Sequence, residues 1–268
     1  MAAVPTPPGH SSASQERPKA SVPAPSQLDF HDLFAGAPLR VRDEEADQLV
    51  AVPARRLGIG MLVVPTGKLM AGDPLANLSA NHVLSRTVPP GRYPVELLLH
   101  DDERGRANEL LLARVVFGAG RPTRWETAAV AGQNPAPSRP GVRTGYPSDA
   151  ATGCFVDASV FAEYTPPPQV RQSIRGGIVH KEYINDGRAE RNSGELMQAL
   201  RATRDAPGGS LGHAEWKGTL GNLVAFGLGG DQVVPTYWGI DASGALVEIV
   251  SVIGLDEERF PDVRWPDG

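Results

Sequence analysis

Six acidic residues, Asp73, Glu126, Asp149, Asp157, Asp231 and Asp241, stand where strands or helices should end. A rigid sheet presents such end positions to a shared cleft. Carboxylates gathered there can hold a divalent cation through oxygen ligands, or divide the work of general acid and general base. Asp149 and Asp157 flank a glycine-containing turn and form the central pair. In this reading Asp73, Asp149, Asp157 and Asp231 ligate magnesium or manganese. Asp149, Asp157 and Lys68 are catalytic, with Lys68 neutralising a phosphate-bearing substrate. Glu126, Tyr237 and Trp238 then line the substrate site. These roles describe a metal-dependent hydrolase acting on a small phosphorylated or nucleotide-like molecule.

The same residues have a plainer reading. An Asp beside Gly or Pro commonly closes an Asx-turn or caps a helix, and aromatic residues on strands most often fill a core. A second functional class follows from it: a non-catalytic binding or immunity-type module whose acidic face meets a basic protein partner. Distance separates the two classes. Ligation of one cation brings carboxylates within about 5 Å of one another, and proton-exchanging carboxylates stand at most about 9 Å apart.

Other chemistries find little support. His82, His100, His180 and His213 lack the spacing of a histidine-bound zinc site; His213, beside Glu215 and Trp216, is the one to examine. Cys154 is the single cysteine, so it has no disulfide partner within the chain. Nearby aspartates disfavour its thiolate, and a small buried filler is the expected role. There is no Walker or dinucleotide fingerprint, so no nucleotide cofactor is expected. The formal net charge of −5 is carried by interspersed acids and bases, which argues against nucleic acid and against an anionic membrane surface as partners. No apolar run approaches the roughly 20 residues that span a bilayer, and a soluble, cytoplasmic protein is expected.

The elements that must position these residues are mostly strands. Residues 1–26 are rich in Pro, Ala and Ser and form an expected disordered tail. Residues 27–268 then make a single β-rich domain with a mobile helical insertion at about 166–209. One short helix is expected to end near Leu49. The run Gly58 to Pro65, the turn Thr66-Gly67 and the run Lys68 to Ala71 read as a hairpin ending at Gly72-Asp73-Pro74. Arg92–Leu99 and Glu109–Phe117 read as a second hairpin, and Arg124–Val130 as a helical turn or two. Asp157 is placed to cap a short helix over Ala158–Tyr164, and Glu195–Arg204 reads as an amphipathic helix. From Asn222 to Ile253 three apolar runs separated by turns form an expected antiparallel meander. With no β-α-β alternation, the fold class is α+β: a mostly antiparallel β sandwich or partly closed barrel with a few short helices.

Several phrases in order resemble a bacterial family, the domain of unknown function 4241. They are Pro65-Thr66-Gly67-Lys68 with Asp73-Pro74; Gly91-Arg92-Tyr93-Pro94-Val95; Trp125-Glu126; Asp149 to Asp157; and Gly230-Asp231 with Pro235-Thr236-Tyr237-Trp238-Gly239-Ile240-Asp241. The resemblance covers about residues 55 to 255 and implies no particular activity. The chain departs from the family pattern at two turns. Gln232 and Val234 replace a glycine and a tyrosine after Asp231, and Ala151 stands where a glycine is expected after Asp149-Ala150.

Overall fold

The computed structural model describes residues 28–43, 48–101, 107–132, 144–166, 169–175, 178–205 and 211–266. The tail expected over residues 1–26 lies outside them, as do residues 102–106 between the two strands of the second expected hairpin. The first helix, α1 (Phe30–Phe34), is followed by a small hairpin of β1 (Leu39–Asp43) and β2 (Gln48–Val52). The helix therefore ends well before Leu49, and the residues expected to prolong it form strands.

Two larger antiparallel sheets carry the domain. One contains β3 (Ala54–Val64), β6 (Gly91–Asp101), β7 (Ala107–Val116), β16 (Leu246–Val252), β15 (Gln232–Ile240) and β8 (Arg124–Thr127) in that order, with β9 (Gly145–Ser148) joining through β15. The other runs β13 (His213–Lys217), β14 (Asn222–Gly227), β10 (Thr152–Asp157), β4 (Lys68–Gly72) and β5 (Val83–Thr87). Helices α2 (Ala158–Tyr164) and α3 (Arg188–Arg204) cover the five-stranded sheet, and β11 (Gln169–Arg175) pairs with β12 (Ile178–Ile184) as a separate hairpin. The expected α+β class and sandwich-like architecture are what the chain adopts.

Side chains alternate across the layers as the two-residue period of a strand requires. Leu69 and Ala71, Phe155, Val224 and Phe226, and Trp238 point between the sheets, where they meet Leu62, Val95, Leu97, Val115 and Ile249. Their neighbours Met70, Cys154, Val156, Leu223 and Ala225 face α2 and α3, packing on Val160, Phe161, Tyr164, Leu196 and Leu200. Leu196 and Leu200 lie four apart on α3 and so share one helix face. On the far side of the seven-stranded sheet, Leu98, Leu112, Tyr237, Val250 and Val252 are covered by Phe30, Leu33 and Phe34 of α1 and by Phe260, Val263 and Trp265. Beneath α1, Arg114 ion-pairs with Glu96 at 2.7 Å and with Glu248 at 2.8 Å, while His31 reaches Glu248 at 3.1 Å.

Three local expectations are corrected by this topology. Runs β3 and β4 do not form a hairpin: β3 pairs with β6 and β4 with β10 and β5. Gly67, with φ +76°, turns the chain from one sheet into the other, and a Cβ there would stand 2.2 Å from the Val88 carbonyl oxygen. The expected meander is also divided, because β14 belongs to the five-stranded sheet and only β15 and β16 pair. Arg124–Thr127 is a strand rather than helical turns: its backbone pairs with Tyr237–Ile240. The 166–209 region contains the expected helix, longer at its start, and also the β11–β12 hairpin.

The sheets close on one another at two seams. At the first, the side-chain amide of Asn222 acts as a strand rung: its Oδ1 accepts from Val63 N at 2.7 Å, and its Nδ2 donates to the Met61 carbonyl at 2.7 Å. At the second, β9 pairs with β15 while Ser148, at the end of β9, bonds to Asp73 beyond the end of β4.

Candidate functional site

Asp73 follows β4 directly and is fully buried. Its carboxylate accepts from Leu75 N at 3.0 Å, Ser148 Oγ at 2.9 Å, Ala150 N at 2.8 Å and Thr152 Oγ1 at 3.2 Å. The Leu75 and Ala150 amides are its undivided donors, whereas the single hydroxyl protons of Ser148 and Thr152 are shared with the Thr152 and Ala150 carbonyls. Its role is to hold the β9–β10 turn against the end of β4. Asp149 lies at the tip of that turn, exposed and without a hydrogen bond or ion pair among the described residues. Asp231 reaches across from the turn before β15 and accepts from Ala151 N at 3.1 Å.

Asp157 is also fully buried, at the opposite end of β10. It caps α2 as expected, accepting from Ser159 N at 2.9 Å and Ser159 Oγ at 2.7 Å. It also binds the Thr66 amide at 2.9 Å and the Thr66 hydroxyl at 2.8 Å, pinning the turn that joins the two sheets. At about 3.3 Å per residue, six-residue β10 carries Asp157 roughly 17 Å from the turn that holds Asp149. Lys68 is exposed at the Asp157 end, since Leu69 pairs with Asp157 and Gly72 with Cys154. The structure thus gathers Asp73, Asp149 and Asp231 at one end of the sheet and Asp157 with Lys68 at the other.

The remaining candidates lie elsewhere. Asp241 closes its own turn, accepting from Ser243 N and Ala245 N, each at 2.9 Å. The Ser243 hydroxyl and these amides hold its carboxyl below the usual range. Glu126 is half-buried on β8 between the guanidinium groups of Arg86 and Arg124. Tyr237 and Trp238 are buried on opposite faces of β15: Tyr237 lies 5.8 Å from the Phe30 ring and Trp238 6.1 Å from Phe117. Burial, and then the neighbouring Asp73, push the Cys154 thiol well up, and Cys154 packs as the expected filler. His213 is half-buried, and burial lowers its imidazole pKa. Among the described residues no group of three or more His, Cys, Asp or Glu side chains has the arrangement of a metal site.

A cleft that the sequence did not signal lies where β4, β5, β8 and β9 end. It has a volume of about 130 Å³ and is lined by Leu78, Leu84, Ala128, Ala129, Val130 and Tyr146, with Asn77, His82, Thr144, Thr236 and Asp73 as polar groups. Burial, with the nearby Cys154, drives the Tyr146 phenol far above its ordinary range. Its hydroxyl lies 2.6 Å from where a Cβ on Gly153 would stand, so that glycine makes room for the ring. Ser148, Thr152 and Thr66 were likewise missed: small hydroxyl residues carry no signature until their distant carboxylate is known.

A family profile described as a protein of unknown function, DUF4241, matches residues 62–251. The chain belongs to this family. The match runs from the last residues of β3 into the end of β16, so the strands between them and the acids discussed above lie within the DUF4241 region, while α1, the β1–β2 hairpin, most of β3 and the C-terminal segment lie outside it. No curated protein and no solved structure matches the chain. None of the described helices is long and apolar enough to cross a membrane.

Proposed function

We propose that this DUF4241 protein is a non-catalytic binding module whose acidic end, carrying Asp149 and Asp231, meets a basic protein partner. One observation supports this most strongly: the buried acids at the two ends of β10 are already committed. A general base needs a lone pair within hydrogen-bond reach of the substrate proton, and a metal ligand needs one directed at the cation. Asp73 is held by the Leu75 and Ala150 amides and by the hydroxyls of Ser148 and Thr152, and Asp157 by Thr66 and Ser159. Asp149 and Asp231 are exposed on adjoining turns, where charge steers and orients a partner. The hydrolase reading would instead require Asp149 and Asp157 to act on one substrate from the two ends of a six-residue strand.

The test has two arms. The protein should leave a panel of phosphoesters intact with magnesium and with manganese. A partner recovered by affinity capture should bind less tightly as ionic strength rises, and should be lost with Asp149→Lys. Turnover that disappears in a folded Asp149→Asn variant would restore the hydrolase reading.

A further inference from the structure

We propose that the cleft at the ends of β4, β5, β8 and β9 binds a compact, uncharged ring molecule bearing a hydrogen-bond acceptor, such as an aromatic carboxamide or a lactam. The site uses residues other than Asp149 and Asp231, so it stands or falls independently of the partner reading.

Size sets the first limit. A cleft of about 130 Å³ is close to the engineered cavities of about 150 Å³ that take benzene, so it accommodates one ring and a short substituent. The walls set the second: Leu78, Leu84, Ala129, Val130 and Tyr146 offer an apolar, partly aromatic surface, the usual lining of a small-molecule site.

The polar groups define the substituent. Asn77 lines the cleft, and its Nδ2 is buried with no acceptor among the described residues. A buried donor left unpaired is unfavourable, and a ligand carbonyl removes that penalty. His82 offers a second donor. The Ser79 amide donates to its Nδ1 at 3.2 Å, so the neutral ring carries its proton on Nε2.

Charge sets the last limit. Among the described residues neither Lys nor Arg lines the cleft, and the one acid there, Asp73, is already held by the Leu75 and Ala150 amides and by the hydroxyls of Ser148 and Thr152. A phosphate or carboxylate would enter beside a buried anion with no cation among the described residues to balance it, and an ammonium would have to displace the donors already on that carboxylate. The site therefore selects a neutral molecule, a different class from a phosphorylated substrate.

The full chain is titrated with benzamide, toluene and phenyl phosphate while backbone amide chemical shifts are followed by NMR. Benzamide should give saturable shifts centred on Leu78, Leu84, Val130 and Tyr146, in the millimolar range or tighter, and phenyl phosphate should give none there. Asn77→Leu should weaken benzamide roughly three- to tenfold, the worth of one hydrogen bond, and leave toluene unchanged. Ala128→Leu, which fills the cleft from a half-buried position, should abolish both; its amide spectrum reports whether the fold is retained. Failure of benzamide to saturate, tighter binding of phenyl phosphate, or an Asn77→Leu variant with unchanged benzamide affinity would each overturn the proposal.

Discussion

Replacing Asn222 by Asp keeps the shape of the side chain and reverses the sense of two hydrogen bonds. In the native protein Nδ2 donates to the Met61 carbonyl at 2.7 Å and to Glu215 Oε1 at 2.6 Å, while Oδ1 accepts from Val63 N. Asn222 is 2% exposed. An aspartate would still accept from Val63 N but would turn its other oxygen toward a carbonyl oxygen and a carboxylate. A neutral hydrogen bond is worth about 1 kcal/mol and one to a charged group about 1.5–3 kcal/mol. Leaving a buried charge uncompensated brings the total to roughly 3–5 kcal/mol. For a domain of this size that is a fall in Tm of roughly 6–20 °C. The sharper sign is in pH. Burial and the Glu215 carboxylate both raise the pKa of the new acid, so by about pH 5 its protonated form donates again and the deficit relative to the native protein shrinks. Asn222→Ala should be destabilised without that recovery. Chemical denaturation of all three proteins at pH 7 and pH 5 measures the effect. An Asn222→Asp variant within about 1 kcal/mol of the native protein at pH 7, or one whose deficit does not change with pH, would refute the rung.

Three further outcomes are expected. Ala151 has φ +49°, in the left-handed region that costs an L-residue about 1–2 kcal/mol; Ala151→Gly should stabilise by roughly 0.5–1 kcal/mol after glycine's greater unfolded-state freedom is allowed for, read as a raised denaturation midpoint. Removing residues 1–26 should leave Tm unchanged, whereas removing residues 1–36 also takes away Phe30, Leu33 and Phe34 and should lower Tm by many degrees and increase binding of an apolar dye. Burial keeps the folded-state pKa of His213 below the ordinary value of 6.5, so the unfolded chain takes up its proton first. The contribution of neutral His213 is thus full above about pH 6.5 and is lost as the pH falls toward the folded-state value; His213→Gln should flatten that part of the stability profile.

Much of the local structure could be read in advance because strands and caps are local matters. The apolar runs through Leu69-Met70-Ala71 and Tyr237-Trp238, bounded by turn residues, mark strands in the sequence itself, and Asp157 before Ala158–Tyr164 is an N-cap by type and position. Strand partners were harder. A two-residue periodicity says that β3 and β4 are strands but not that the Thr66-Gly67 turn changes sheets, which depends on Asp157 arriving from far along the chain. Arg124–Thr127 carries residues at home in a helix and is extended only because β15 offers it a partner. Five of the six acids stand at or beside element ends as expected, while Glu126 lies within β8, paired with Trp238. Whether each carboxylate is free depends on donors such as Ser148 and Thr152, some 75 to 79 residues from Asp73 in sequence. The cleft, built largely from alanines, leucines and backbone, has no motif to betray it.

The segments on either side of the family region also hold one another. Leu28 N donates to the Asp262 carbonyl at 2.9 Å, Arg264 N donates to the Leu28 carbonyl at 2.7 Å, and Arg40 pairs with Asp262 at 2.6 Å. During synthesis α1 is made before the strands, but its docking partners Phe260, Val263 and Trp265 are made after β16. The layer over the seven-stranded sheet can therefore be completed only after residues 260–265 have been made, while the core between the sheets has all its strands sooner. The same contact brings Leu28 and Val263 onto neighbouring strand positions, about 5 Å apart. A short peptide could join them, and a circular permutant opened between α3 and β13 would then keep every strand pairing of both sheets.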